Sequence, residues 1–168
     1  MRSINTCVRV VLVLVASVAT AAAQSNSGSI TATALVQQPI NVVGAVNLAF
    51  GDVIPGINKA VAFADAGAGR FDVTGQAGAP VNLSFTALPT NLTSGVNNLP
   101  IGSYTGGVNA TNTAAGATSF APFAGTTATL SGTSGTGNLF VFIGATVSPP
   151  TNLTAGTYTG TITLQVTY

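Results

Sequence analysis

The sequence predicts an all-β protein: an immunoglobulin-like, Greek-key antiparallel β-sandwich. Three observations lead there. All 20 Gly and all 8 Pro lie after residue 27, and the longest stretches free of both, Ser29–Gln38 and Ile57–Ala66, are ten residues each. An ordinary helix needs about 11–12 residues, and Gly or Pro inside one costs about 1 or 3 kcal/mol, whereas strands of about 5–6 residues fit these intervals. Second, apolar residues alternate with Thr, Ser and Asn in several short runs, the period of a sheet with one buried and one wet face. Third, Thr is abundant, and its branched side chain suits a pleated surface.

Residues 1–23 are expected to be a signal peptide rather than part of the fold. Arg2 and Arg9 precede the apolar run Val10–Ala16, and Ala21-Ala22-Ala23 supplies a small-residue cleavage site before Gln24. The run is shorter than the roughly 20 residues of a membrane span. Cys7 lies before the run, which rules it out as a lipid anchor at the cleavage site. The competing reading is a retained N-terminal anchor. Cleavage leaves 24–168 as a single β-sandwich domain with no membrane span, destined for the periplasm, the cell surface or the medium. Its only charges are Lys59, Arg70, Asp52, Asp65 and Asp72, a net of 2 − 3 = −1, and it has no Cys, His or Glu. A domain of this length can bury a core without disulfides.

The first expected strand is Ser29–Val36, with Ile30, Ala32, Ala34 and Val36 on one side and Thr31 and Thr33 on the other. Short strands are expected near 40–43, 46–50, 59–65 and 69–74. Val81, Leu83 and Phe85 alternate with Asn82, Ser84 and Thr86. Further short strands are expected near 103–109, 118–123 and 126–131. Leu139-Phe140-Val141-Phe142-Ile143 is apolar on both faces and belongs at the centre of a sheet. The last strand places Ile162, Leu164, Val166 and Tyr168 against Thr161, Thr163, Gln165 and Thr167.

One segment recurs. Pro89-Thr-Asn-Leu-Thr-Ser-Gly95 returns as Pro150-Thr-Asn-Leu-Thr-Ala-Gly156, and Gly102-Ser-Tyr-Thr-Gly106 as Gly156-Thr-Tyr-Thr-Gly160. Two copies are too few for a solenoid. They read as two similar loop-into-strand corners of one sandwich, or as an old duplication.

Little chemistry is on offer. A chain with a net charge near zero cannot neutralise a row of phosphates, so nucleic acid is excluded as a partner. The Cys and His ligands of a zinc site are missing, and Ser has no His to activate it. Asp65, Arg70 and Asp72 flank Ala66-Gly-Ala-Gly69, and at a hairpin tip they would form an ion-pair cluster or a weak calcium site. An Asp pair of the glycosidase kind is the remaining enzymatic option. The Gly-rich pieces at 67–69 and 132–137 precede no helix, so they read as turns rather than phosphate cradles. Sequons at Asn82, Asn91, Asn109 and Asn152 matter only in a host that glycosylates exported proteins. No metal or other cofactor is expected.

Four pieces carry a resemblance: Ser29–Val36, Leu48-Ala-Phe-Gly-Asp-Val-Ile-Pro-Gly56, Phe71-Asp-Val-Thr-Gly75, and the ending from Ala155 to Tyr168. Over most of 29–168 the chain resembles a family of exported bacterial domains of unknown function, related to spore-coat-U-like and pilin-like β-sandwiches. Its ends are similar to those of chaperone–usher fimbrial subunits, with an alternating N-terminal extension and an alternating last strand. It departs from them in ending on Tyr168 itself and in lacking a Cys pair. The resemblance implies a non-enzymatic structural protein, a pilus-like or surface-coat subunit. Ile30, Ala32, Ala34 and Val36 would then be the inward face of a strand donated to the next subunit, with self-association into fibres and a periplasmic chaperone as partner. Two other readings stand beside it: a monomeric secreted or adhesin-like binding module whose Ser29–Val36 is its own first strand, and a hydrolase, which the missing His and Glu disfavour.

Overall fold

A computed structural model of the chain describes residues 25–168. The expected signal peptide, 1–23, lies outside the described residues. The chain divides into two units, Met1–Ala34 and Leu35–Tyr168. In the first, residues 25–34 have no regular structure and are exposed. The second is an all-β, antiparallel, sandwich-like fold, as the Gly and Pro spacing predicts.

Ten strands follow in chain order: β1 Asn41–Val46, β2 Lys59–Val61, β3 Gly69–Gln76, β4 Pro80–Ala87, β5 Asn91–Ser94, β6 Asn97–Asn109, β7 Thr118–Phe120, β8 Thr126–Thr129, β9 Thr136–Val147 and β10 Thr163–Thr167. The large sheet runs β1-β3-β9-β6-β5, with β2 on β9 and β7 on β6; the small sheet runs β10-β4-β8. The apolar run Leu139–Ile143 lies within β9, paired with β3 on one side and, from Phe140, with β6 on the other. That central place is the one its two-sided hydrophobicity demands.

The core has two parts. Val73, Leu139 and Val141 of the large sheet meet Val81, Leu83 and Leu164 of the small one, with Leu130 between, and Ile40, Val42, Phe85 and Val166 pack around them. The second part holds Leu99, Ile101, Tyr104, Ile143, Ala145 and Val147. Opposite that part, the covering side chains come mainly from irregular chain: Leu48, Phe50 and Val53 before β2, and Leu153, Tyr158 and Ile162 before β10.

Several strand expectations are corrected. Ser29–Val36 forms no strand and pairs with none of the described strands; Ile30 is 97% exposed and Val36 89%. Residues 47–50 are irregular, and β2 stops at Val61. β6 starts at Asn97, well before 103, and β5, which the sequence reading took for a corner, pairs with it across the tip Gly95-Val96. In the last strand only Leu164 is buried; Ile162 and Val166 are half-buried, and Tyr168 lies past the strand end, 41% exposed.

Candidate functional site: an apolar groove with open edges

The two irregular segments, 47–58 and 148–162, do not close over the core. They border a groove of about 890 Å³ whose floor is Phe71, Leu99, Ile101 and Ile143 and whose sides include Leu48, Phe50, Leu153 and Ile162. The groove begins beside Gly44 and Val46, where β1 shifts register against β3, and extends past Gly69, the first residue of β3.

Its borders are short of backbone partners. Among the described residues, 47–58 make three backbone–backbone bonds outside the strands: Ala49 N–H to the Gly67 carbonyl at 2.8 Å, Gly56 N–H to the Pro149 carbonyl of the facing segment at 3.0 Å, and Ile57 N–H to the Ile54 carbonyl at 3.1 Å. The Lys59 ammonium adds a bond to the Asp52 carbonyl at 2.8 Å. On the other side, 154–162 are tied by the reciprocal Thr93–Thr159 pair at 2.9 and 3.0 Å, and Tyr158 Oη donates to the Thr154 carbonyl at 2.7 Å. The repeated segments therefore meet: Leu92 and Leu153, at equivalent places in the two copies, both line the groove. Among the described residues β1 pairs only with β3, which leaves its outer edge free beside the groove; β10, paired only with β4, lies outside the groove lining. A site with an apolar floor and unpaired edges offers a strand both side-chain pockets and backbone bonds.

At its other end the seam between β1 and β10 is shut. Tyr168 Oη donates to the Gln38 carbonyl and accepts the Gln76 N–H at 2.8 Å. The Gln38 N–H in turn reaches Gln76 Oε1 at 3.4 Å.

The charged residues form no comparable site. Arg70 Nε meets Asp72 Oδ1 at 2.7 Å, and Arg70 Nη1 donates to Asn112 Oδ1 at 2.6 Å, with the guanidinium 5.9 Å from the Phe140 ring centre. Asp65 is elsewhere engaged, its Oδ2 accepting the Ala62 N–H at 2.8 Å in a turn. The expected cluster of Asp65, Arg70 and Asp72 is thus corrected to one ion pair, and no group of three potential metal ligands occurs among the described residues. Asn109, one of the sequons, spends its amide on the Thr113 and Ala115 carbonyls.

The donor-face residues Ile30, Ala32, Ala34 and Val36 are exposed and extend no sheet. The last-strand residues divide: Ile162 lines the groove, Leu164 and Val166 belong to the closed half of the core, and Tyr168 ties the shut end. Strand complementation implies an apolar acceptor groove but does not say where in the fold it lies. Its one signal was the Phe50-to-Gly56 motif, whose Phe50 to Val53 and Pro55 line it. Among the described residues no helix is long and apolar enough to cross a membrane. No protein-family model matches the chain, and neither does any curated protein.

Proposed function

We propose that this is a non-enzymatic, exported structural protein, a pilus-like or surface-coat subunit that assembles by strand complementation. Ser29–Val36 of one copy fills the groove of the next. One observation carries the reading: the chain combines an apolar groove beside the free edge of β1 with an exposed alternating segment that forms no strand among the described residues. Ile30 and Val36 would each contribute about 1.5–3 kcal/mol on burial, and Ala32 and Ala34 less. Backbone bonds along the segment add roughly 0.5–1.5 kcal/mol each. Such a contact joins two different surfaces and does not close on itself, so it propagates as a fibre. An uncovered groove and edge would aggregate during export, which is the reason to expect a periplasmic chaperone.

The test is electron microscopy of negatively stained material sheared from producing cells, with gels of unheated and heated samples. The reading expects thin fibres and a ladder that collapses on heating. A protein that runs as a compact monomer in both samples, with no fibres, contradicts it.

A further inference from the structure

We propose that the end of the domain carrying Gln38, Gln76 and Tyr168 is a second contact surface between copies, held against the acceptor beside its groove by a one-residue linker. The inference rests on the groove receiving Ser29–Val36 of a second copy. It adds a body-to-body interface to that contact.

Chain length imposes the constraint. Gln38 is fixed to its own domain: its carbonyl accepts the Tyr168 hydroxyl, and its N–H reaches Gln76 Oε1 at 3.4 Å. Ile40 follows two residues later and packs on the core. Leu35 to Tyr168 are one unit, so these ties lie within it. Only Gln37 separates Val36, the last residue of the donated segment, from that anchor. Two Cα steps span at most about 7 Å. Packed sheets stand about 10 Å apart face to face. A Val36 seated in a neighbour's groove therefore holds the donor's Gln38 closer to it than one packed sheet lies to another. Undoing the Gln38 ties changes little: Ile40 is four steps from Val36, about 14 Å at most, still short of a solvated gap between two domains. The two folded bodies touch whichever way the segment runs in the groove.

The donor's surface at this point suits a contact. Tyr168 is 41% exposed, and Pro39, next to Gln38, and Gly78, in the turn after β3, are exposed as well. None of them carries a charged side chain, and Asp52 is the one charged residue lining the groove. Tyr is favoured at interfaces, since it buries a large ring when its hydroxyl has a partner. Here the hydroxyl is already bonded within the donor, to the Gln38 carbonyl and the Gln76 N–H. Covering the rest of the side chain therefore leaves no side-chain polar atom unpaired. So short a linker also fixes the angle between successive copies, which makes the fibre a stiff rod rather than beads on a string.

The experiment compares the mature chain with a variant that has about eight Gly and Ser residues inserted between Val36 and Gln37, a flexible spacer of roughly 15 Å on average. The insert alters no residue of the domain, and its thermal melt should match that of the native monomer. Hydroxyl-radical footprinting reads the reactivity of Tyr168 in dilute monomers and in sedimented assemblies. In the native chain, Tyr168 should lose reactivity on assembly. In the insert variant, assembled Tyr168 should be as reactive as in the monomer. A Tyr168 that stays reactive in native assemblies, or one that is shielded equally with the insert present, overturns the linker-imposed interface while the groove reading stands. A native chain that forms no assemblies, together with a chain lacking 24–37 that ignores a Ser29–Val36 peptide, overturns the groove reading and this inference with it.

Discussion

Ser103 has a φ of 47°, the left-handed region, and is the one residue other than glycine there among those described. An L-residue pays roughly 1–2 kcal/mol for that geometry. The strain buys a break in register between Gly102 and Thr105 against β9, and the break turns Tyr104 inward, where its hydroxyl donates to the Pro89 carbonyl at 2.6 Å. Ser103→Gly should therefore be neutral or stabilise by up to about 1 kcal/mol in denaturant melts, the added chain entropy of Gly offsetting part of the gain. Burial pushes the Tyr104 phenol up to about 12 from 10.0. The folded state thus holds this proton more tightly than the unfolded state does. The linked stability is fully present below pH 10 and is lost as pH rises through 10 toward 12. Tyr104→Phe should cost about 1–2 kcal/mol at pH 7, from the lost hydrogen bond, and should flatten that alkaline decline. The acids are less consequential. Replacing Asp52, Asp65 and Asp72 together by Asn should leave the chain folded at a cost below about 2 kcal/mol, because the Arg70–Asp72 pair is partly exposed. Added calcium should leave the melting temperature of the native chain unchanged.

Among the elements, β9 and β10 divide the structural burden. Gly144 sits in β9 where the chain leaving β2 crosses over it; a Cβ there would lie 2.2 Å from the Val61 carbonyl oxygen and 2.6 Å from the Phe63 nitrogen. Backbone cannot yield as a side-chain tip can, so Gly144→Ala should destabilise by about 1–3 kcal/mol or more, read from the shift of the denaturation midpoint. β10 carries the buried Leu164, worth about 1.5–3 kcal/mol, with part of that again from Val166 and from Ile162 just before the strand. Its loss also strips β4 of a partner. A chain ending at Gly160 should give no soluble folded protein, since a typical domain has only about 5–15 kcal/mol in hand. The strands that could be read in advance were those whose signal is local: β3, β4, β9 and β10 show alternation or a two-sided apolar run. β5 and the start of β6 were missed because Pro100 lies inside the pairing. A Pro in a strand pattern argues against it, yet here the Pro100 carbonyl still accepts the Ser148 N–H at 2.9 Å. Ser29–Val36 erred the other way: its pattern is that of a strand, but a pattern cannot name the partner.

For the molecule as a whole, the groove was hidden for a related reason. It is made by what two long segments fail to do, and a pairing that is absent leaves no periodicity. The repeat at 89–95 and 150–156 was visible, but that its equivalent residues Leu92 and Leu153 line one groove depends on the tertiary fold. Near-neutral charge fits the proposal at this scale, since an uncharged segment and a groove with Asp52 as its one charged lining residue would dock with little to desolvate. On the proposed assembly the groove accepts Ser29–Val36. Thermal melts of a chain lacking 24–37, with and without a peptide spanning Ser29–Val36, test it most directly. The account predicts that the shortened chain no longer polymerises, and that the peptide raises its melting temperature in a saturable way, while a peptide with Ile30, Ala32, Ala34 and Val36 changed to Asp does not. A folded shortened chain whose melting temperature is indifferent to the native peptide at any concentration contradicts it.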